Sequence, residues 1–308
     1  MYRIERISLE KLKDLSIIFK AINKVVSVET LIRKFRTEAF GASYIGYIAY
    51  SEGGEPSAFY GVFPIIVSRG NEKILTAQSG DTVTHPNHQG KGLFTKLAGM
   101  TYELAKQEGI KLVWGFPNKN SYHGFTKKLN WTDNEILIKV KVRVRTIPIA
   151  KVIERIKIEW PKKMYAKICN FFFKPRLNQF IKVKRGDAPF ILKDLTFFEY
   201  KNYNERLVIG NDKNKVWCKV EGSLMIGDIE YDSLDEFKKL WSSLKSKCRW
   251  LGITEIIFIC NYSNPNKDLI KKIDSPILEE SLSYCHLAGW DDELAKSMSI
   301  CLADFDTF

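Results

Sequence analysis

The stretch Thr82-Val83-Thr84-His85-Pro86-Asn87-His88-Gln89-Gly90-Lys91-Gly92-Leu93-Phe94 holds the residue types best suited to chemistry. β-Branched residues end a strand, two glycines follow in a polar loop, and an apolar-periodic segment then opens a helix. The amides of a helix's first turn have no internal acceptors, and the helix dipole places partial positive charge beside them. Gly90 and Gly92 let the backbone come close to a bulky anion. The arrangement suits a phosphate or pyrophosphate. It is neither a P-loop nor a dinucleotide fingerprint, since G-x-x-x-x-G-K-S/T and G-x-G-x-x-G are both absent. The plainer alternative is a tight strand-to-helix turn that happens to carry two glycines.

The elements that must hold this loop follow from periodicity. Residues 9–22 and 29–38 have helical spacing. Tyr44–Tyr50, Ala58–Ser68 and Ile74–Thr84 are rich in β-branched and aromatic residues and are separated by Gly-containing turns, which predicts an antiparallel meander. After the loop, a helix is expected from Gly92 to Glu108, stopped by Gly109. A buried strand at Ile110–Phe116, a short helix at Asn120–Leu129 and a strand at Glu135–Arg145 complete the first block. A second block has a hairpin at Val216–Val220 and Ser223–Glu230. Its helix at Ser233–Cys248 opens on a Ser233/Glu236 capping box, and strands at Ile253–Cys260 and near Ser299–Phe305 close it. The two blocks read as a weak internal repeat. Gly80-Asp81, Gly109-Ile110 and Asn118/Asn120 in the first correspond to Gly227-Asp228, Gly252-Ile253 and Asn261/Asn264 in the second, which lacks the glycine loop.

With 308 residues, 45% hydrophobic and 27% charged, the chain suits about two globular domains, and disorder or a disulfide mini-scaffold is excluded as a description of the whole. No apolar run is long enough to span a bilayer, and the first residues have no signal-peptide core. Six scattered cysteines without C-x-x-C fit a reducing compartment and give no metal site, so a cytoplasmic location is expected. Of the net charge of +12, +9 lies in residues 151–185, which carry 11 Lys/Arg against 2 Asp/Glu together with Trp160, Tyr165 and Phe171–Phe173. Such a segment fits an anionic membrane surface or an acidic ligand, or is a solvated linker. No nucleic-acid module accompanies it, so nucleic acid is not an expected partner.

Thr84-His85-Pro86-x-x-Gln89-Gly90-Lys91-Gly92 resembles the acetyl-CoA loop of the GNAT N-acetyltransferases, R/Q-x-x-G-x-G/A. Gln89 and Gly92 match, and Phe94 stands where Gly or Ala is usual. Phe125-Thr126-Lys127-Lys128-Leu129-Asn130-Trp131 resembles the family's F-Y-x-K-x-G-F. The resemblance covers residues 1–145 and, in a degenerate form, 190–308; tandem domains of this kind resemble the Eis-like branch and GNAT proteins of polysaccharide pathways. It implies an α+β GNAT fold, a mixed sheet flanked by helices, with residues 1–145 as the acetyl-CoA-binding domain. Residues 146–189 are then a basic connecting segment, and 190–308 a second GNAT-like domain that binds no CoA. It also implies acetyl-CoA as co-substrate, with no metal. Amides of Gly90, Lys91, Gly92, Leu93, Phe94 and Thr95 would hold the pyrophosphate beside Gln89. The edge at Thr82, Val83 and Thr84 would pair with the pantetheine arm, and the strands flanking the loop would splay to admit the acyl group.

Acetyl transfer to an amine needs a base for the amine, a donor for the thioester oxygen and an acid for the departing thiolate. In the family the acid is often the Tyr of F-Y-x-K-x-G-F, and here that position is Thr126. Tyr122, one helical turn earlier, is the candidate acid. Asp81, near the end of the central strand, is the candidate base. His88 and His123 are read as surface or positioning residues. In the Eis-like branch the C-terminal carboxylate enters the active site, which makes that of Phe308 a further candidate. The expected activity is acetyl-CoA-dependent N-acetylation of a small-molecule primary amine, for instance on an amino sugar or cell-surface precursor. The rival readings are a non-catalytic CoA-binding protein and a membrane-surface scaffold using residues 151–185.

Overall fold

The structure, a computed structural model, describes residues 1–175, 188–201, 206–288 and 292–308. The chain divides into two compact units that interleave along the sequence. One comprises Met1–Glu135, Pro189–Ile191 and Ser283–Met298, and the other Ile136–Ala188, Leu192–Leu282 and Ser299–Phe308. No helix among the described residues is long and apolar enough to cross a membrane.

In the first unit, β1 (Arg3–Arg6) leads through α1 (Leu12–Ala21) and α2 (Val28–Phe35) into β2 (Ile45–Tyr50), β3 (Pro56–Arg69) and β4 (Glu72–Thr84). β1 to β4 pair in sequence order as an antiparallel meander. The β3–β4 turn is two residues long, with Gly70 at φ +58°, the left-handed conformation a tight hairpin needs. α3 (Leu93–Gln107) then crosses to β5 (Val113–Gly115), which lies parallel to β4. α4 (Lys119–His123), a π-helical turn at Gly124–Lys128 and the start of β6 (Thr132–Arg143) follow.

Side chains alternate across β2 and separate two cores. Ile45 and Ala49 pack with Leu93, Leu97, Ala98 and Ala105 of α3. Ile48 and Tyr50 pack with Leu15, Ile18 and Phe19 of α1 and with Leu31 and Phe35 of α2. Each such buried Leu or Ile contributes roughly 1.5–3 kcal/mol. The loop is thus anchored by a strand with helices on both faces and by a helix buried along one side.

Within the second unit, α5 (Ile149–Arg155) and α6 (Glu159–Phe173) stand where composition suggests a connecting segment. Residues 176–185 of the basic stretch lie outside the described residues. β7 (Phe190–Ile191) pairs with β3 in the first unit. The second unit continues through α7 (Leu195–Tyr200), β8 (Leu207–Gly210), β9 (Lys215–Val220), β10 (Leu224–Glu230), α8 (Leu234–Trp250), β11 (Glu255–Cys260) and α9 (Asn266–Ile273). β12 (Ile277–Ala288) and α10 (Asp292–Ser297) lead back into residues grouped with the first unit. β8, β9 and β10 are antiparallel, β10 and β11 parallel, and β11 and β6 antiparallel.

Each unit therefore runs hairpin, Gly-Asp bulge, helix, parallel strand, and a short helix with an Asn at its entry. The bulge falls at Gly80-Asp81 in one and at Gly227-Asp228 in the other. Asn118 accepts from the amide of Asn120 at 2.9 Å, and Asn264 from that of Asn266 at 3.0 Å.

Two expectations differ from what is found. The strand expected at Ile110–Phe116 is only Val113–Gly115. The closing strand expected near Ser299–Phe305 is reduced to isolated bridge positions at Ser299 and Cys301, the latter opposite Cys260, followed by a 3-10 turn at Leu302–Asp304. The cause is local: the Asp304 carboxylate accepts the Cys301 amide at 2.7 Å, so the chain curls instead of extending a ladder.

Candidate active site

The glycine loop opens onto a cavity of about 900 Å³, lined by residues of the first unit. Gly90 and Gly92 have φ of +75° and +72°, and a Cβ built at either would meet nothing within 4 Å. Both conformations favour glycine, and the space before them is open. Gly92 caps α3 with no side chain satisfying its first turn. Among the described residues, no acceptor takes the amides of Gly90, Lys91, Gly92, Leu93, Phe94 or Thr95; the first internal bond runs from Lys96 to the Gly92 oxygen at 3.1 Å. The wall adds Lys91, Lys128, His88 and His123 and no carboxylate. An uncapped helix end with cations beside it is suited to a polyanion.

The strand edge next to this loop is open. β4 and β5 pair at Ala77, Gln78 and Ser79, and the pairing ends at Ser79–Gly115, whereas β4 continues to Thr84. The bulge places Asp81 and Thr82 opposite Tyr60, with Asp81 at φ +54°. Thr82, Val83 and Thr84 line the cavity, and the buried Thr82 hydroxyl has no hydrogen-bond partner among the described residues. Free amides at an uncapped helix, glycines with open space before them, an orphaned hydroxyl and an open strand edge fit the pyrophosphate and pantetheine of CoA.

Phe94, the departure from the family loop, is accommodated locally. Its ring packs at 5.5 Å on Phe125 and 5.7 Å on Tyr60, and a Cβ on Gly124 would come within 3.2 Å of it. The glycine at 124 makes room for the larger side chain at 94.

The candidate acid and base are both occupied. Asp81 is buried, and its carboxylate is paired with Lys34 and, at 3.0 Å, with Lys24. Burial alone would push the carboxyl up, but the two ammoniums outweigh it and hold the carboxyl below its usual range. So held, it is a weak base and a strong structural ion. Asp81 is not among the residues lining the cavity, whereas Gly90 to Thr95 are. The Tyr122 hydroxyl donates to Asp133. Tyr122 is not among the residues lining the cavity, whereas its neighbours Ser121 and His123 are. Thr126 donates to the Tyr122 carbonyl at 3.0 Å, so its hydroxyl is used within the helix. Phe308 belongs to the second unit, where its ring is buried 5.5 Å from Trp217 and its main-chain oxygen accepts from Arg206. His88 accepts from or donates to the Tyr2 hydroxyl at 2.7 Å; burial, then the charges at Lys91 and His85, push its imidazole below the ordinary value.

Sequence reasoning missed a buried hydroxyl chain at the end of the paired region. Tyr60 bonds Ser79 at 2.9 Å and Tyr102 at 2.7 Å, and Trp131 donates to Tyr102 at 3.0 Å. Burial pushes both tyrosine hydroxyls far up, so they stay neutral. It also missed the Lys24 and Lys34 pairing with Asp81 and the wall residues Ile22 and Asn118. A lysine placed among the apolar positions of α2 was the available signal for Lys34.

Residues 26–133 match the family described as Acetyltransferase (GNAT) domain. No curated protein matches the chain in sequence. Among solved structures, the GCN5-related N-acetyltransferase from Kribbella flavida is similar with a TM-score of 0.61 at 12% identity, covering 94% of this chain and 70% of that one. The GCN5-related N-acetyltransferase from Anabaena variabilis is similar with a TM-score of 0.60 at 10% identity, covering 94% and 72%. At these identities the likeness is one of fold: the chain has the GNAT fold, and the match to the GNAT acetyltransferase domain spans residues 26–133.

Proposed function

We propose that this chain is an acetyl-CoA-dependent N-acetyltransferase acting on a primary amine of a small molecule, with an amino sugar or cell-surface precursor as the class to test first. The observation that carries the reading is the row of unaccepted amides from Gly90 to Thr95, at two left-handed glycines facing a cavity beside the open edge of β4. Those amides, with Lys91 and Lys128, would hold the pyrophosphate. Thr82 to Thr84 would pair with the pantetheine arm, leaving the thioester between the diverging ends of β4 and β5. Acetyl-CoA supplies the activated acyl group; the chain supplies orientation and proton handling.

In this reading Asp81 holds the bulge that opens the strand edge, and the amine proton leaves by His123 or His88 on the wall. Tyr122 protonates the departing thiolate. The second unit is a degenerate copy, as in Eis-like tandem arrangements. In it the stretch around Ile300 is bound by Asn261 and Asn264, beside the end of β11, where the first unit leaves its strand edge open.

Calorimetric titration with acetyl-CoA, followed by thiol release with a panel of amines, tests the proposal. Saturable binding with release dependent on one amine class is expected. Binding without release for any amine would favour the non-catalytic reading, which the engagement of Thr126 and Tyr122 recommends as the second choice. Absence of binding would overturn both.

A further inference from the structure

A helix packed on a globular unit turns its apolar side inward and its polar side to water. α6 does not. Pro161, Cys169 and Phe173 are buried, yet Trp160, Met164, Ile168 and Phe171 are 64%, 50%, 40% and 73% exposed. Their spacing of i, i+4, i+8 and i+11 gathers them into a stripe roughly 80° wide, at about 100° per residue. The same helical projection places this stripe opposite Cys169 and Phe173. Lys163 and Lys167 border it on one side, both exposed and without a partner among the described residues. Glu159, at the first turn, is the only acid in α6.

We propose that α6 seats this chain on an anionic lipid surface, with the stripe in the interfacial layer and Lys163 and Lys167 against the headgroups. An amphipathic helix with Trp and Phe on one face and lysines beside them is built for that layer. α6 has 15 residues and is too short to cross a bilayer, so in this proposal it lies on the surface. Charge selects lipid over a second copy of this chain. A symmetric pairing of two stripes would bring Lys163 and Lys167 against the same lysines, whereas anionic headgroups neutralise them.

Cosedimentation of the full chain with phosphatidylcholine vesicles, with and without phosphatidylserine, tests this. Binding that needs phosphatidylserine and is lost at high salt is expected. Trp160→Ser with Phe171→Ser should lower partitioning at least about tenfold, and Lys163→Gln with Lys167→Gln about twentyfold. Circular dichroism and the unfolding midpoint identify variants that keep the fold, which exposed positions should permit. No binding by the wild type, equal binding to neutral vesicles, or folded variants that partition like the wild type would each overturn the proposal. So would a wild-type dimer that Trp160→Ser with Phe171→Ser converts to monomer, since the stripe would then belong to a second copy.

Discussion

Replacing Asp81 by Asn separates a catalytic base from a structural ion. Asn tolerates the left-handed backbone that Asp81 adopts at φ +54°, so the change adds little strain. It removes the charge that pairs with Lys34, whose side chain is 9% exposed, and with Lys24, which is 51% exposed. The exposed partner can turn to water and costs little. The buried one loses this carboxylate where water screens it little, which costs up to roughly 3–5 kcal/mol. In a chain of this size that corresponds to a fall in melting temperature of very roughly 6–20 °C. Lys34→Met in the same chain removes that cation and should restore part of the loss. Urea unfolding followed by circular dichroism gives the free energies, and thiol release gives turnover. A folded Asp81→Asn chain within about 1 kcal/mol of wild type, with turnover down a hundredfold, would refute the structural reading and return Asp81 to the role of base. The acid limb is a second check. Because the folded carboxyl is held below its ordinary range, its contribution is complete above the ordinary value of about 3.9 and is lost as pH falls through the folded value. Wild type should therefore lose this stability only below about pH 4, and Asp81→Asn should lack that part of the acid limb.

Gly92→Asp should weaken acetyl-CoA binding by about 2 kcal/mol or more, measured by calorimetry, because it sets a negative charge and a Cβ before the free amides. Tyr122→Phe should lower turnover by roughly a hundredfold with acetyl-CoA affinity near wild type, whereas Thr126→Ala should leave turnover within a few fold; equal effects would remove Tyr122 as the acid. Gly227→Ala should destabilise by about 1–3 kcal/mol, since its Cβ would lie 2.3 Å from the Phe308 ring, and Phe308→Leu should recover part of that in chemical denaturation.

The strands, the glycine loop and the long helices were legible because each is written in local chemistry. β3 and β4 are rich in β-branched and aromatic residues, Gly109 stops α3, and Ser233 accepts from the Glu236 amide at 3.5 Å. The parts that were not legible depend on distant partners. β5 is three residues long, and its period alone could not say where pairing with β4 would stop. Asp81 reads as a free carboxylate near the acyl site until the fold brings Lys24 and Lys34, 57 and 47 residues away, onto it. Phe94 reads as a defect in the motif until Gly124 is seen beside it. The segment around Ile300 looks like a strand because its residues are apolar, but Asn261 and Asp304 claim its amides.

The contrast between the two Gly-Asp bulges has a thermodynamic consequence. In the second unit the polar groups near the end of β11 are satisfied by covalently attached chain, at an effective concentration no diluted solute can match. In the first unit the proposed function has the edge from Thr82 to Thr84 and the amides of Gly90 to Thr95 met by acetyl-CoA from solution, so their stability would follow mass action. A ligand at a hundred times its dissociation constant adds about 2.7 kcal/mol to the state that binds it. That gain should register as slowed amide exchange across the loop and the first turn of α3, while exchange around Asn261 and Ile300 stays the same whether ligand is present or not.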